Sequence, residues 1–419
     1  METIASSRSD QLFPPEERNW ADKLFIAGLM IYAFSSSFSI AASQIGLGLS
    51  LIAFIALYRA GKICMNSTSF DKPYAFLVLT GILAAFRAEM PIVAIKGLKT
   101  LLIILCFVLP YWRQLNNTLR FKLLGLSAFS ATLVAAFAIL TVYFGTAPGE
   151  RATGFYSMSL TFGECQAMLS LMILAWFCRD NNSPKSSGIL LIAFVITATA
   201  VFLSLQRGVW IGFTGGVIYL LFWRCKKIMT AVILLLIILA PVAYHHEAFH
   251  NRLSGFNIRK TLDLYNKNPF SSEFEDGVFE ANYLRPTTWT RGFQMIKDRP
   301  VFGVGHKNLK YWYEKLSSEY EHHRCFIFSH QHSNFMQMLA AGGIISLLAF
   351  FYTVIAVLKF VIMTDSGKNF RQHAAAAIFI AFILFGLTEN AWGDEEVSMM
   401  AFFFTGLLLS QPREVALPG

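Results

Sequence analysis

Apolar positions along this chain form long unbroken runs and rarely alternate with polar ones. A helix rises 1.5 Å per residue and a bilayer core is about 30 Å thick, so roughly 20 apolar residues cross it. Twelve stretches approach that length: 22–38, 40–58, 73–89, 91–111, 121–145, 159–178, 187–205, 208–223, 228–244, 333–358, 372–388 and 395–411. They are apolar all round, as helices surrounded by lipid and other helices must be. The pairs 22–38/40–58 and 187–205/208–223 are joined by almost nothing, which predicts tight helical hairpins. The pattern therefore predicts an all-α polytopic membrane protein with about 12 transmembrane helices.

One connection breaks the rhythm. Residues 245–332 are too long for a simple turn, and loops of this length carry function or their own structure. They divide the chain into 1–244, with nine spans, the loop 245–332, and 333–419, with three. Within the loop, 287-TTWTRGFQMIKDRP-300 spaces Trp289, Phe293, Met295 and Ile296 as a helix does and stops at Pro300; Gly303 and Gly305 then mark a turn. Residues 308–321 predict a second amphipathic helix. The loop also holds His250, His306, His322, His323 and His330.

Composition agrees with the pattern. Hydrophobic residues make up 55% of the chain and charged ones only 15%, too few to clothe a soluble globule. A soluble enzyme, a disordered chain and a nucleic-acid binder are excluded. The net charge of +9 is explained by its placement. Eighteen lysines and arginines fall in one set of alternate short connections, Arg59, Lys62, Arg113, Arg120, Arg179, Arg224, Lys227 and Arg371 among them. The other set holds only Arg87, Arg151 and Arg207. Positive charge stays inside, so both termini are expected in the cytoplasm and the large loop outside. The first apolar run follows Pro14, Pro15, Glu16 and Glu17, so no cleaved signal peptide is expected. Cys64, Cys178 and Cys225 lie toward the reducing face, and Cys165 and Cys325 toward the outer one. Without a C-x-x-C pair they support neither a zinc site nor a disulfide framework.

The candidate chemistry gathers on the outer face. Arg207, in 204-SLQRGVWIG-212, stands at a hairpin tip where a cation costs roughly 2.5–3.5 kcal/mol if drawn to a span centre. It either reaches to lipid headgroups or holds an anionic substrate, for which a guanidinium fork suits phosphate oxygens. Arg151 has the same two readings and a neighbour, Glu150, to pair with. Lys96 and Lys99, three apart, share a helical face and either line a cavity or reach to headgroups. Arg285 and Arg291 belong to the loop, where a surface arginine is the ordinary case. His332 and Asn334, in 329-SHQHSNFMQMLAAGG-343, begin a span at the outer face, either as a cap or as proton-transfer chemistry. His330 and His332 together lack further ligands at metal-binding spacing. Glu389, Asp394, Glu395 and Glu396 occupy the last outer connection, where solvated acids are the ordinary case, although one of them orienting a base is the alternative. No Gly-rich nucleotide loop is present.

This layout resembles the O-antigen ligase superfamily, which also contains O-antigen polymerases of the Wzy type. Three local patterns carry the resemblance beside the spans and the late loop. They are 204-SLQRG-208, the run Arg285, Trp289, Pro300, Gly303 and Gly305 within 285-RPTTWTRGFQMIKDRPVFGVG-305, and 332-HSNFMQMLAAGG-343. Ser333 stands where the family often has asparagine. The resemblance implies a metal-independent glycosyltransferase of the bacterial inner membrane, without a cofactor. The donor would be a glycan on undecaprenyl diphosphate and the acceptor a sugar hydroxyl of lipid A–core. It implies catalytic roles for His332, Arg207 and Arg285, with Arg151, Lys96, Lys99, Arg291, His330 and Asn334 toward the substrates. Membrane lipids are expected partners and nucleic acid is not. Alternatives are a polymerase joining repeat units on the same carrier, transfer of glycan to a protein, a multi-span transporter and a non-catalytic scaffold. A single late loop favours the ligase, because polymerases resemble a two-loop arrangement.

Overall fold

A computed structural model describes residues 19–63, 65, 67–145, 151–245, 277–318, 330–363 and 369–410. The expectations for Cys64, Glu150, His250, His322, His323 and Cys325 fall outside these residues, as does the whole stretch from 246 to 276. Every apolar run named above is helical over most of its described residues. The elements are α1 (Trp20–Ser35), α2 (Ile40–Arg59), α3 (Asp71–Arg87), α4 (Pro91–Gly97), a 3₁₀ segment (Leu98–Ile103), α5 (Ile104–Trp112), α6 (Asn117–Phe144), α7 (Ser159–Phe177), α8 (Pro184–Leu203), α9 (Arg207–His245), α10 (Gly277–Asp298), α11 (Leu309–Ser318), α12 (Asn334–Met363), α13 (Phe370–Phe385) and α14 (Glu395–Leu409). Among the described residues there is no strand.

The chain is a helical membrane protein. Six stretches of described helix are long and apolar enough to cross a bilayer: Ile40–Arg59, Pro91–Trp112, Asn117–Phe144, Ser159–Phe177, Pro184–Leu203 and Asn334–Met363. Large apolar side chains point outward along them, including Ile45, Ile52, Phe129, Leu133, Ile189 and Ile192. In water these would be a liability; in lipid they are the expected surface. α7 is the opposite case, buried along nearly its whole length and surrounded by α8, α9 and α13.

Helix ends follow local sequence. Asn19, Ser39, Asn116, Ser183, Asn369 and Asp394 each cap a helix by accepting a backbone N–H through the side chain. The stretch 91–111 is not one α-helix but α4, the 3₁₀ turn and α5, with Pro110 inside α5. The stretches 208–223 and 228–244, expected as separate spans, meet within α9 at Arg224, whose φ of −142° and ψ of 60° are not helical. In the loop, the expected 287–300 helix begins ten residues earlier, at Gly277, and the expected 308–321 helix is described as Leu309–Ser318.

Two packing devices set the site. The first is a glycine row on α9. Gly208, Gly212 and Gly216 recur every four residues and so share one face. A Cβ on Gly208 would lie 2.3 Å from Thr388 Oγ1; on Gly212, 2.8 Å from the Ala381 carbonyl oxygen; on Gly216, 3.1 Å from that of Ala377. α9 and α13 thus run antiparallel in backbone contact, the usual means of tight association where no hydrophobic effect operates. The second is a strap. α12 breaks at Gly343, with φ +69°. Ile344 N–H then donates to Pro300 O at 2.9 Å, leaving the carbonyls of Ala340 and Ala341 without their helical partners. Val304 and Gly305 N–H supply them, at 2.9 and 2.8 Å. Gly303 and Gly305 adopt the left-handed backbone this insertion requires, and no side chain fits there, since a Cβ on Gly303 would lie 2.5 Å from Ala341 C.

Candidate active site

His332 lies two residues before α12, with φ +47°. This left-handed backbone is uncommon outside glycine, and residues held in it gather at functional sites. Leu205, two residues before α9, is held likewise at φ +55°. The two bracket a polar cluster at one end of the bundle. His332 Nδ1 lies 3.0 Å from Glu389 Oε2. Glu389 is only 6% exposed and its N–H closes a turn onto Phe385 O at 3.0 Å. The expectation of a solvated loop acid is thus corrected, because α13 ends at Phe385 and its turn folds Glu389 inward. Carboxylate chemistry alone did not separate Glu389 from its three acidic neighbours; its place one turn past a span end was the only signal.

The rest of the HSN segment holds this pair in place. Asn334 N–H donates to Gly386 O at 2.8 Å, and Asn334 Oδ1 accepts from Trp392 N–H at 2.9 Å. Ser333 Oγ donates to the same Gly386 carbonyl at 3.4 Å. Gln331 ties in the other side: its N–H donates to Gln337 Oε1 at 3.0 Å, and its carbonyl accepts from Trp289 Nε1 at 2.8 Å. Gly292 packs against the Gln331 side chain. Arg285, Trp289 and Gly292, spaced four and three, share one face of α10, so the backbone of Arg285 stands on the face that meets the His332 segment. The His330 ring lies 4.3 Å from that of His332, centre to centre. Burial first, and His332 second, push the His330 pKa down to about 4, so it is neutral near pH 7.

Arg207 is the first residue of α9. Gln206 Nε2 donates to Ser159 Oγ at 2.9 Å, and Gly208 abuts Thr388, so Arg207 starts its helix beside the turn that carries Glu389. The other candidates divide. Arg291 is 2% exposed and donates to Gln294 Oε1 at 3.1 Å, which corrects the expected surface arginine. Tyr313 of α11 donates to the Thr288 carbonyl, one turn earlier on α10, at 3.1 Å. Lys99 is ion-paired with Glu395, and Lys96, one turn earlier, is exposed. Arg151 is exposed and adjoins Ala152, whose N–H donates to Leu203 O at 2.9 Å; this places it at the Arg207 end of the bundle.

Glu164 escaped the sequence reading. It lies on α7, is 1% exposed and shares a field with Asp394 and Glu389. An ionisable residue inside an apolar span was the available signal. Asp394 caps α14 and accepts from Thr161 Oγ1 at 2.8 Å, tying the last turn to α7.

Residues 192–351 match the family model described as O-antigen ligase. The match supports the O-antigen ligase superfamily. It contains Arg207, Arg285 and His332 and ends before Glu389, so the buried carboxylate comes from the geometry alone. No curated protein matches the chain.

Proposed function

We propose that the protein is an O-antigen ligase. It moves a glycan from undecaprenyl diphosphate to a sugar hydroxyl of lipid A–core, at the periplasmic face of the bacterial inner membrane. In this reading the twelve helical stretches are twelve spans, with 1–244 and 333–419 flanking a periplasmic loop at 245–332 and both termini in the cytoplasm. The observation that carries it is the 3.0 Å contact between His332 and the buried Glu389, placed beside the helix that Arg207 begins.

The chemistry follows from that geometry. Glu389 accepts a hydrogen bond from Nδ1–H of His332, which fixes the tautomer and makes Nε2 the atom that takes the proton of the acceptor hydroxyl. The hydroxyl oxygen forms its bond to the anomeric carbon as the bond to the diphosphate oxygen breaks. Its proton passes to Nε2, and the diphosphate leaves with the bonding electrons. Glu389 then faces an imidazolium, a charge pair that exists only after the proton has moved. The leaving diphosphate gains charge where water is sparse, and Arg207 and Arg285 are the cations that stabilise it there. Asn334 and Ser333 act by positioning, through Gly386 and Trp392. Arg291, His330, Arg151, Lys96 and Lys99 contribute to the surroundings of the two lipid-linked substrates.

A polymerase would use the same donor chemistry with a different acceptor, and a transporter would need no base at all. The deciding experiment is lipopolysaccharide gel profiling of a ligase-deficient host expressing wild type, His332→Ala or Glu389→Gln, with membrane levels matched. A ladder restored by wild type and lost in the variants supports the ligase. Bare core with accumulated undecaprenyl-linked polymer overturns it, provided the host core is the one native to the glycan supplied.

A further inference from the structure

The far ends of the helices that build the His332 cluster enclose a second polar site. α7, α9 and α13 each have one end at that cluster: Ser159, Arg207 and Phe385. About 16 residues along α9, or roughly 24 Å at 1.5 Å per residue, the chain reaches Trp223 and Arg224. There a cavity of about 450 Å³ opens, lined by Arg179, Asp180, Trp223, Arg224, Phe370 and Arg371 among others. α7 supplies Arg179 just past its end, and α13 supplies Phe370 and Arg371 at its start. This end of the bundle carries the basic short connections.

The lining is unlike a row of cations reaching separately to headgroups. Three guanidiniums converge on one space from three different helices, against a single carboxylate. The Arg179 guanidinium is held over the Phe121 ring at 4.8 Å, which fixes its plane. Arg224 is ion-paired through Nη2 with Asp180, which also lies 3.7 Å from Lys227. Among the described residues, Arg224 Nε and Arg371 Nη1 are buried and have no hydrogen-bond partner. Buried donors left without acceptors are costly, and phosphate oxygens are the acceptors that guanidinium forks fit. Aromatic walls at Trp223 and Phe370, and Phe222 beside them at 90% exposure, put the site at a border between polar and apolar surroundings.

We propose that this cavity binds a phosphate group, and that the phosphate belongs to the headgroup of an anionic phospholipid whose acyl chains lie along the exposed apolar face of α9. The volume suits a glycerophosphate headgroup and not two acyl chains, and basic pockets between membrane helices take such headgroups. Occupancy would brace α7, α9 and α13 from the end opposite the His332 cluster. The site is independent of glycan transfer and stands or falls without it.

The test is native mass spectrometry, with melting in detergent, of the purified full chain. Phosphatidylglycerol is titrated against phosphatidylcholine, and glycerol phosphate is added separately to lipid-free micelles. Phosphatidylglycerol is expected to be retained at one copy, at least about tenfold more tightly than phosphatidylcholine. Arg371→Gln and Arg224→Gln should each lose about that factor. Asp180→Asn, at a side chain 62% exposed, removes the competing carboxylate and should tighten binding. That gain cannot arise from misfolding, so it keeps the proposal testable if the arginine variants are unstable. Protection by glycerol phosphate as strong as by the lipid would assign the phosphate to a soluble source and overturn the headgroup. Equal retention of both lipids, or variants indistinguishable from wild type, would overturn the site.

Discussion

The two ends of α7, α9 and α13 solve opposite problems with similar residues. At the Arg207 end the acid is drawn in: Glu389 is buried against His332, and glycines let the α13 turn approach α9 at backbone distance. At the Arg371 end the cations stand apart around an open volume, with rings as spacers and only Asp180 among them. A buried pair needs each member to satisfy the other, because an isolated buried charge is unaffordable in low dielectric. A cavity lined mostly by one sign of charge instead leaves its interaction to a molecule from outside. The first arrangement suits a proton moving between fixed atoms; the second suits recognition.

Removing the base tests the first end most severely. His332→Ala should lower transfer by roughly a hundredfold to ten-thousandfold at equal membrane level, measured as glycan transferred per unit protein. Transfer within a few-fold of wild type would break the assignment. Glu389→Gln keeps the shape and removes the charge, so it should cost less, roughly tenfold to a hundredfold in kcat with little change in KM. Partial rescue by Glu389→Asp would separate positioning from a merely structural role.

Gly212→Val tests whether the contact between α9 and α13 sets the distance between Arg207 and Glu389. Its Cβ would meet Ala381 O at 2.8 Å and the Phe385 ring closer still, so overpacking should cost about 1–3 kcal/mol in unfolding and lower transfer through displacement of Arg207. Gly48→Val, at a helix glycine where a Cβ meets nothing within 4 Å, is the comparison and should melt near wild type.

The smallest effect is that of acid. Burial lowers the pKa values of His306 and His330 to about 4 in the folded protein. Their unfolded value is about 6.5, so the unfolded chain binds protons first as pH falls. The neutral histidines therefore contribute full stability above about pH 6.5, and it is lost progressively toward pH 4. Melting in detergent should fall between pH 7 and 6 by the equivalent of on the order of 1–2 kcal/mol for the two histidines together. His306→Gln should reduce the pH-dependent part. A melting temperature flat over this range would show that His306 and His330 are more hydrated than their burial indicates.

Much of this molecule is written locally. Helix positions follow from apolar runs and from capping residues such as Asn116 and Asp394, because a span must satisfy its own backbone wherever it packs. The motif residues Pro300, Gly303, Gly305 and Gly343 were legible as a pattern, but their purpose was not. Only the fold shows that a broken α12 lends its carbonyls to the strap. Glu389 read as one acid among four, Arg291 as a surface cation and Glu164 not at all. Each depends on what a distant segment brings against it: His332 across 57 positions for Glu389, α11 on α10 for Arg291, and the helices around α7 for Glu164. The sequence by itself determined the helical membrane protein and carried the resemblance to the O-antigen ligase superfamily, since hydropathy and short motifs are properties of neighbouring residues. Tertiary structure alone decided which charges are buried, paired or grouped around a cavity, because the free energy of a charge depends on surroundings that the chain assembles only on folding.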